Sequence, residues 1–132
     1  MGAKDYQQVV IVKNLIRDFL LDCKVVIAPI AREDNGLAMS SRNAYLDIRD
    51  RDNARHLYKA LQSIKSLITQ GENVNKACEK YKNYLIKYGY RLDYLLVRNA
   101  DDLSNNLSDN LVILVAAWLG SVRLIDNLVC RR

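Results

Sequence analysis

Two short stretches of the chain carry residue types suited to holding an anion. The first, Gly2-Ala3-Lys4-Asp5-Tyr6-Gln7-Gln8, opens a run of helical periodicity. Free backbone N–H groups and the positive end of a helix dipole favour negative charge there, and Lys4 adds a full positive charge. Asp5 is able to accept hydrogen bonds from hydroxyls such as those of a ribose, and Gln8, one turn on, to hold a polar substrate. The second, Asn35-Gly36-Leu37-Ala38-Met39-Ser40-Ser41-Arg42-Asn43, joins a flexible glycine, two hydroxyls and a guanidinium. Hydroxyls and an always-charged fork of donors suit phosphate oxygens. An ordinary capped helix at residues 2–8, and helix-capping serines beside a surface arginine at 40–42, give the same patterns. Residue types alone leave both readings open.

Other chemistries find less support. His56 is the only histidine and sits inside a predicted helix, so a helix-surface or packing role is expected rather than a Ser-His-Asp or Cys-His arrangement. No H-E-x-x-H or zinc-ligand cluster occurs, and no side-chain metal ligands are assigned. Cys23, Cys78 and Cys130 are odd in number and far apart, which fits neither a disulfide framework nor a C-x-x-C pair and points to a reducing cytoplasm. Cys78 falls on an apolar helix face, as a small buried hydrophobe would. Tyr81, Tyr84 and Tyr88 recur at helical spacing, as core or interface residues rather than a base-stacking platform. The net charge of +5 suits an anionic partner, yet Lys and Arg are interleaved with acids, as in Asp47-Ile48-Arg49-Asp50-Arg51-Asp52, and no nucleic-acid partner is expected. The longest apolar run, Leu111 to Leu119, is far shorter than the roughly 20 residues a membrane-spanning helix needs, and no secretory h-region or myristoylation signal opens the sequence. The expectation is a cytoplasmic protein with no membrane partner.

The elements that must position the two stretches follow from periodicity. Val9, Val12, Ile16, Phe19 and Leu20 predict a helix from Asp5, as its cap, to about Leu21. Lys24 to Pro29 is a β-branched run that reads as a buried strand. Residues 30–46 lose periodicity and read as a polar loop of the kind that often carries function. Asp47 opens a helical region whose apolar stripe runs to Gly71, and a second amphipathic helix spans Asn73 to Tyr88, giving a helical hairpin. Arg91–Arg98, Leu111–Leu119 and Val122–Val129 read as strands, the last two joined by a type II′ turn at Gly120-Ser121. The fold class is therefore α+β: a helical hairpin on a small antiparallel sheet. With 132 residues the chain allows one domain, or one small domain carrying a piece of a neighbour. The compositional change near Pro29 divides 1–29, too short to bury a core alone, from 30–132.

At the two anion-suited stretches, the pattern Gly2-x-Lys4-Asp5-Tyr6-Gln7-Gln8, then Asp34-Asn35-Gly36-Leu37-Ala38-Met39-Ser40-Ser41-Arg42-Asn43-x-Tyr45-Leu46, closely resembles the pantothenate synthetase (pantoate–β-alanine ligase) family. The end agrees too: Val115-Ala116-Ala117-Trp118-Leu119-Gly120 and Val122-Arg123-Leu124-Ile125-Asp126-Asn127 look like the family's C-terminal pair of strands. The resemblance covers essentially the whole chain in order, and Met-Ser-Ser-Arg-Asn is its most specific part.

The resemblance implies an ATP-dependent ligase of the cytidylyltransferase-like nucleotidyltransferase superfamily, working on pantoate, β-alanine and ATP with Mg²⁺ bound through the phosphates. By position, Lys4, Ser40, Ser41 and Arg42 would be the catalytic residues and contact the phosphates. Gly2 and Asp5 would meet the ribose, the backbone near Ala31 and Met39 the adenine, and Gln8 the pantoate. The Met-Ser-Ser-Arg stretch resembles the mobile phosphate-binding signature of class I aminoacyl-tRNA synthetases, which implies that residues 31–43 order on nucleotide binding. Residues 1–29 would be the last helix and strand of the family's N-terminal Rossmann-like domain, and 30–132 its C-terminal α+β lid. The family's upstream H-x-G-H motif, second pantoate glutamine and most of the β-alanine pocket have no counterpart here, and Ala3 stands where the family commonly has a larger polar residue. The chain is thus expected to be the C-terminal portion of such an enzyme, as a truncated form, a gene fragment or one subunit of a split enzyme, partnered by an N-terminal half. Exposed apolar surface on residues 9–28 would drive self-association. The alternative from another class is a non-catalytic nucleotide-binding or docking module.

Overall fold

The uninterrupted apolar run near residue 115 becomes the middle strand of a three-stranded sheet, where both faces of the strand are covered. In the computed structural model, which describes residues 1–132, the strands are β1 (Arg91–Asn99), β2 (Asn110–Leu119) and β3 (Val122–Arg131), antiparallel in the order β1-β2-β3. Side chains alternate between faces along a strand. Leu111, Ile113, Val115, Ala117 and Leu119 of β2 therefore enter one large core, while Val112 and Leu114 enter a smaller cluster with Ala100 on the opposite face. Gly120, at φ 62, and Ser121 join β2 to β3 as a type II′ turn requires.

The large core is closed by a helical hairpin, α3 (Arg55–Thr69) and α4 (Val74–Lys87). Leu57, Leu61, Ile64 and Ile68 of α3, spaced by three and four, are at most 2% exposed and meet Ala77, Cys78 and Leu85 of α4 over the sheet. Burying each large apolar side chain contributes about 1.5–3 kcal/mol, so this hairpin and sheet carry most of the fold's stability. The α+β architecture read from the periodicity is the observed one. The helical region opened by Asp47 is in fact two helices: α2 (Ile48–Asn53), capped by the Asp47 carboxylate on the Asp50 N–H at 2.7 Å, and then α3. None of the α2 residues is buried, in keeping with a charged, solvated face.

Residues 1–30 depart further from expectation. Helix α1 (Tyr6–Asp18) is present, with Asp5 at its N-cap position, but the Asp5 side chain makes no capping hydrogen bond. Lys24 to Pro29 is extended without being a buried strand: Val26 is 71% exposed, and its segment pairs only with residues 1–3, through one parallel bridge between Gly2 and Ala28. A β-branched run needs a neighbouring strand to complete its ladder, and within this chain only the first three residues lie beside it. Residues 1–3, α1 and 24–28 thus form a minimal parallel strand–helix–strand unit. Val9 and Val10 are buried, whereas Ile11, Leu15, Phe19 and Leu20 face outward. No helix is long and apolar enough to cross a membrane.

Candidate functional site

The stretch that lacks periodicity is held by short-range hydrogen bonds instead. Asn35 accepts the Leu37 N–H on its Oδ1 at 3.0 Å, an Asx turn, while Glu33 donates its N–H to the Leu37 carbonyl and Gly36 its N–H to the Glu33 carbonyl. With the Met39 N–H on the Ala31 carbonyl at 2.8 Å, residues 31–39 form a tight hairpin. A 3₁₀ turn, Ser41–Tyr45, follows; the Ser40 hydroxyl caps it by accepting the Arg42 N–H at 3.2 Å. Buried Asn43 donates its amide to the Ala38 carbonyl at 3.1 Å and so pins the turn under the hairpin.

Strand β3 fastens this hairpin to the start of α1. Arg32 makes a two-pronged pair with Asp126, 2.6 and 2.9 Å, donates to the Gly36 carbonyl at 3.0 Å, and lays its guanidinium 3.8 Å from the Tyr58 ring centroid. The next residue, Asn127, donates its amide to the carbonyls of Ala3 and Lys4 at 2.9 and 3.0 Å. Sequence reasoning gave Arg32, Tyr58, Asp126 and Asn127 no role. The available signal was Asp126 itself, since an acid at a buried strand position requires a cationic partner.

These contacts bring Lys4 to Met39, its ammonium donating to the Met39 carbonyl at 3.2 Å. Lys4 is half-buried, and desolvation by that burial moves its pKa below the ordinary lysine value. Nearby Asp126 and Asp5 oppose the shift, whereas Arg42 and Arg32 reinforce it. Lys4 therefore sits close to two further cations and two acids, one of which, Asp126, is already committed to Arg32. An anion would give this ammonium, whose charge burial disfavours, a direct partner.

The remaining predicted residues fall around this point in two groups. Lys4, Asp5 and Gln8 line a cavity of about 130 Å³ with Tyr94, Leu114, Ile125 and Asp126. Arg42 lines a separate, wider cavity of about 520 Å³ with Tyr45, Trp118, Ser121, Val122 and Arg123. Gln8 and Arg42 therefore do not share a cavity. Gly2 is held in the bridge to Ala28, and Ala31 through its carbonyl to Met39; Ser41 and Arg42 are exposed. His56 is remote in role: it is buried, with Nδ1 2.6 Å from the Tyr84 hydroxyl and its ring stacked on Tyr88, the packing role expected of it. Cys78 is buried, and desolvation raises its thiol pKa.

Known proteins match nearly all of the chain. A model of the family described as pantoate-beta-alanine ligase matches residues 1–129. A pantothenate synthetase of Shewanella denitrificans is 42% identical over 99% of this chain and 47% of its own length. One from Caldicellulosiruptor saccharolyticus is 40% identical over 97% of this chain and 47% of its own. Among solved structures, pantothenate synthetase from Thermus thermophilus superposes with a TM-score of 0.87 at 36% identity, covering 97% of this chain and 48% of that one. A pantoate-beta-alanine ligase from Francisella tularensis, solved in complex with beta-gamma ATP and beta-alanine, gives 0.68 at 31% identity, covering 96% and 41%. The chain spans about half the length of these relatives.

Proposed function

Matched from residue 1 to residue 129, this chain belongs to the pantoate-beta-alanine ligase family, and we propose that it is the nucleotide-closing C-terminal part of an ATP-dependent ligase joining pantoate to β-alanine. The observation that carries this reading is the Lys4 ammonium held against the Met39 carbonyl with Arg42 and Arg32 nearby. It places the two anion-suited stretches side by side, as a triphosphate gripped from both sides needs. The family relative solved with beta-gamma ATP and beta-alanine supports the same ligands.

In this reading Lys4, Ser40, Ser41 and Arg42 bind the phosphates, Gly2 and Asp5 the ribose, the backbone of Ala31 and Met39 the adenine, and Gln8 the pantoate. Asp5 suits its role because its carboxylate is not spent on capping α1. A pantoate carboxylate oxygen attacks the α-phosphorus, and the bond to the bridging oxygen breaks, releasing pyrophosphate and leaving pantoyl adenylate. The β-alanine amine then attacks the acyl carbon, loses a proton, and AMP departs with the bonding pair. No side-chain nucleophile takes part. The chain's work is positioning and neutralising phosphate charge. The structure has no cluster of three or more His, Cys, Asp or Glu side chains able to hold a metal ion. Mg²⁺ would be carried on the phosphates of ATP, whose charge it would shield. Residues 1–29 act as the end of the Rossmann-like domain and 30–132 as the lid, with 31–43 ordering over bound nucleotide. An N-terminal half supplies the rest of the site, and free Cys23, Cys78 and Cys130 suit a cytoplasmic setting.

The test combines pantoate-dependent exchange of labelled pyrophosphate into ATP with direct Mg-ATP binding to this chain and to Arg42→Ala. Binding that Arg42→Ala weakens about tenfold or more, with exchange appearing only after an N-terminal half is added, supports the proposal. Exchange by the chain alone overturns the need for that half. Binding indifferent to Arg42→Ala overturns the site and leaves a docking module.

A further inference from the structure

We infer that Asp126 and Asn127 are positioning residues: a two-sided clamp on β3 that sets the distance between the Gly2–Gln8 and Met39–Arg42 segments. This rests on the reading above that both segments take the nucleotide.

The two side chains are neighbours on an extended strand and so point to opposite faces of the sheet. Asp126 belongs to the face of Leu124 and Cys130, beneath α3, and engages Arg32 at the base of the 31–39 hairpin. Asn127 lies opposite Leu114 on the other face, and engages the carbonyls of Ala3 and Lys4. Each residue makes several directed bonds. Both Asp126 oxygens take the Arg32 fork, and Oδ1 also accepts the Asn127 N–H at 2.8 Å. Both amide hydrogens of Asn127 are spent on the α1 approach. The residues are 3% and 4% exposed.

Stability does not account for this arrangement. A buried ion pair is often no more stabilising than well-packed apolar residues of similar size, and β3 is otherwise apolar at its inward positions. What a fork on a carboxylate and a doubly donating amide supply is direction and distance. A phosphate chain gripped from one side by Lys4 and from the other by Ser40–Arg42 depends on that distance, since misplacement of about 1 Å costs up to about a hundredfold in rate.

Residue-resolved amide hydrogen exchange and Mg-ATP affinity, measured on this chain, test the clamp through Asp126→Asn and Asn127→Leu. The Asp126→Asn change should speed exchange at Glu33, Gly36, Leu37 and Met39 about tenfold or more, and leave Ala3 and Ala28 unchanged. Asn127→Leu should do the reverse. Each should weaken Mg-ATP about tenfold. If Asp126→Asn does not fold, the double variant Arg32→Gln/Asp126→Asn keeps a neutral hydrogen bond and takes its place. Uniform acceleration that includes the β2 amides, or a loosened hairpin with unaltered affinity, overturns the clamp. Failure of the unaltered chain to bind Mg-ATP refutes the nucleotide reading, and the exchange pattern still decides whether the two sides are held separately.

Discussion

Gly36 closes the hairpin that carries the second site segment, and replacing it with alanine should cost more than its backbone angle alone predicts. Its φ is +89, and a Cβ built there would lie 2.6 Å from Cδ2 of Tyr58. That ring supports the Arg32 guanidinium, which also holds the Gly36 carbonyl. The left-handed conformation costs a non-glycine residue about 1 kcal/mol, and forcing the ring aside adds about 1–3 kcal/mol. The sum is about 2–4 kcal/mol. Gly71 supplies the control: its φ is +92 and nothing lies within 4 Å of the added Cβ, so Gly71→Ala should cost about 1 kcal/mol. Urea unfolding of the two variants and the parent isolates the Tyr58 contribution as the difference between them. The difference should shrink in a Tyr58→Ala background, where the 2.6 Å contact with the ring is gone. Equal losses for Gly36→Ala and Gly71→Ala, with unchanged exchange at Met39, would refute the claim that the ring and the hairpin are packed as one unit.

Anion binding should weaken as pH rises, and at lower pH than for an exposed lysine, because burial and the neighbouring arginines depress Lys4; isothermal titration with Mg-ATP across pH 7–10 should show it, and Lys4→Met with the same slope would remove Lys4 as its cause. Buried His56 has a folded pKa held below its ordinary value by desolvation, Arg55 and Lys59, against Asp52. The unfolded chain then takes up the proton more readily, so stability is complete above about pH 6.5 and falls as pH drops below it. Thermal melts from pH 7.5 to 5 should lose that slope in His56→Phe, and an unchanged slope would assign it elsewhere. Ile11 and Leu15 of α1 and Phe19 just past its end, 62%, 49% and 69% exposed, form one stripe; sedimentation should show association at high concentration that Leu15→Glu with Phe19→Lys abolishes, whereas a monomer at all concentrations refutes this.

The elements legible in the sequence are those whose stability is written in local periodicity. The α3 and α4 stripes and the two-sided β2 run dictate their own burial, and the Gly120-Ser121 turn fixes how β3 returns. The break between α2 and α3 was not legible, for Ala54 is a strong helix former. Its cause is 37 residues away: the Tyr90 hydroxyl donates to the Asn53 carbonyl at 2.7 Å, and the Leu57 N–H donates to the Ala54 carbonyl instead. Lys24–Pro29 misleads for the complementary reason, because β propensity reports fitness for a sheet and not the presence of one. Around the candidate site, residue types point to Lys4, Arg42 and the serines; the Lys4 ammonium lies on the Met39 carbonyl, whereas the Ser40 hydroxyl caps the 3₁₀ turn, the other reading open to that residue type. The Arg32–Asp126 and Asn127–Ala3 links join residues at opposite ends of the chain, and no local pattern encodes such pairs.

The Asn127–Ala3 hydrogen bond, which spans 124 positions of sequence, also governs when the site is assembled. Contacts so distant form late, after loop-closure entropy has been offset by the intervening structure. During synthesis at about 5–20 residues per second, α3, α4 and β2 are all made before the strand that fastens the first residues to the hairpin. A growing chain therefore holds the two anion-suited stretches without their spacing until β3 pairs. Under the proposed function, nucleotide is a ligand of the chain with β3 in place and not of its shorter precursors.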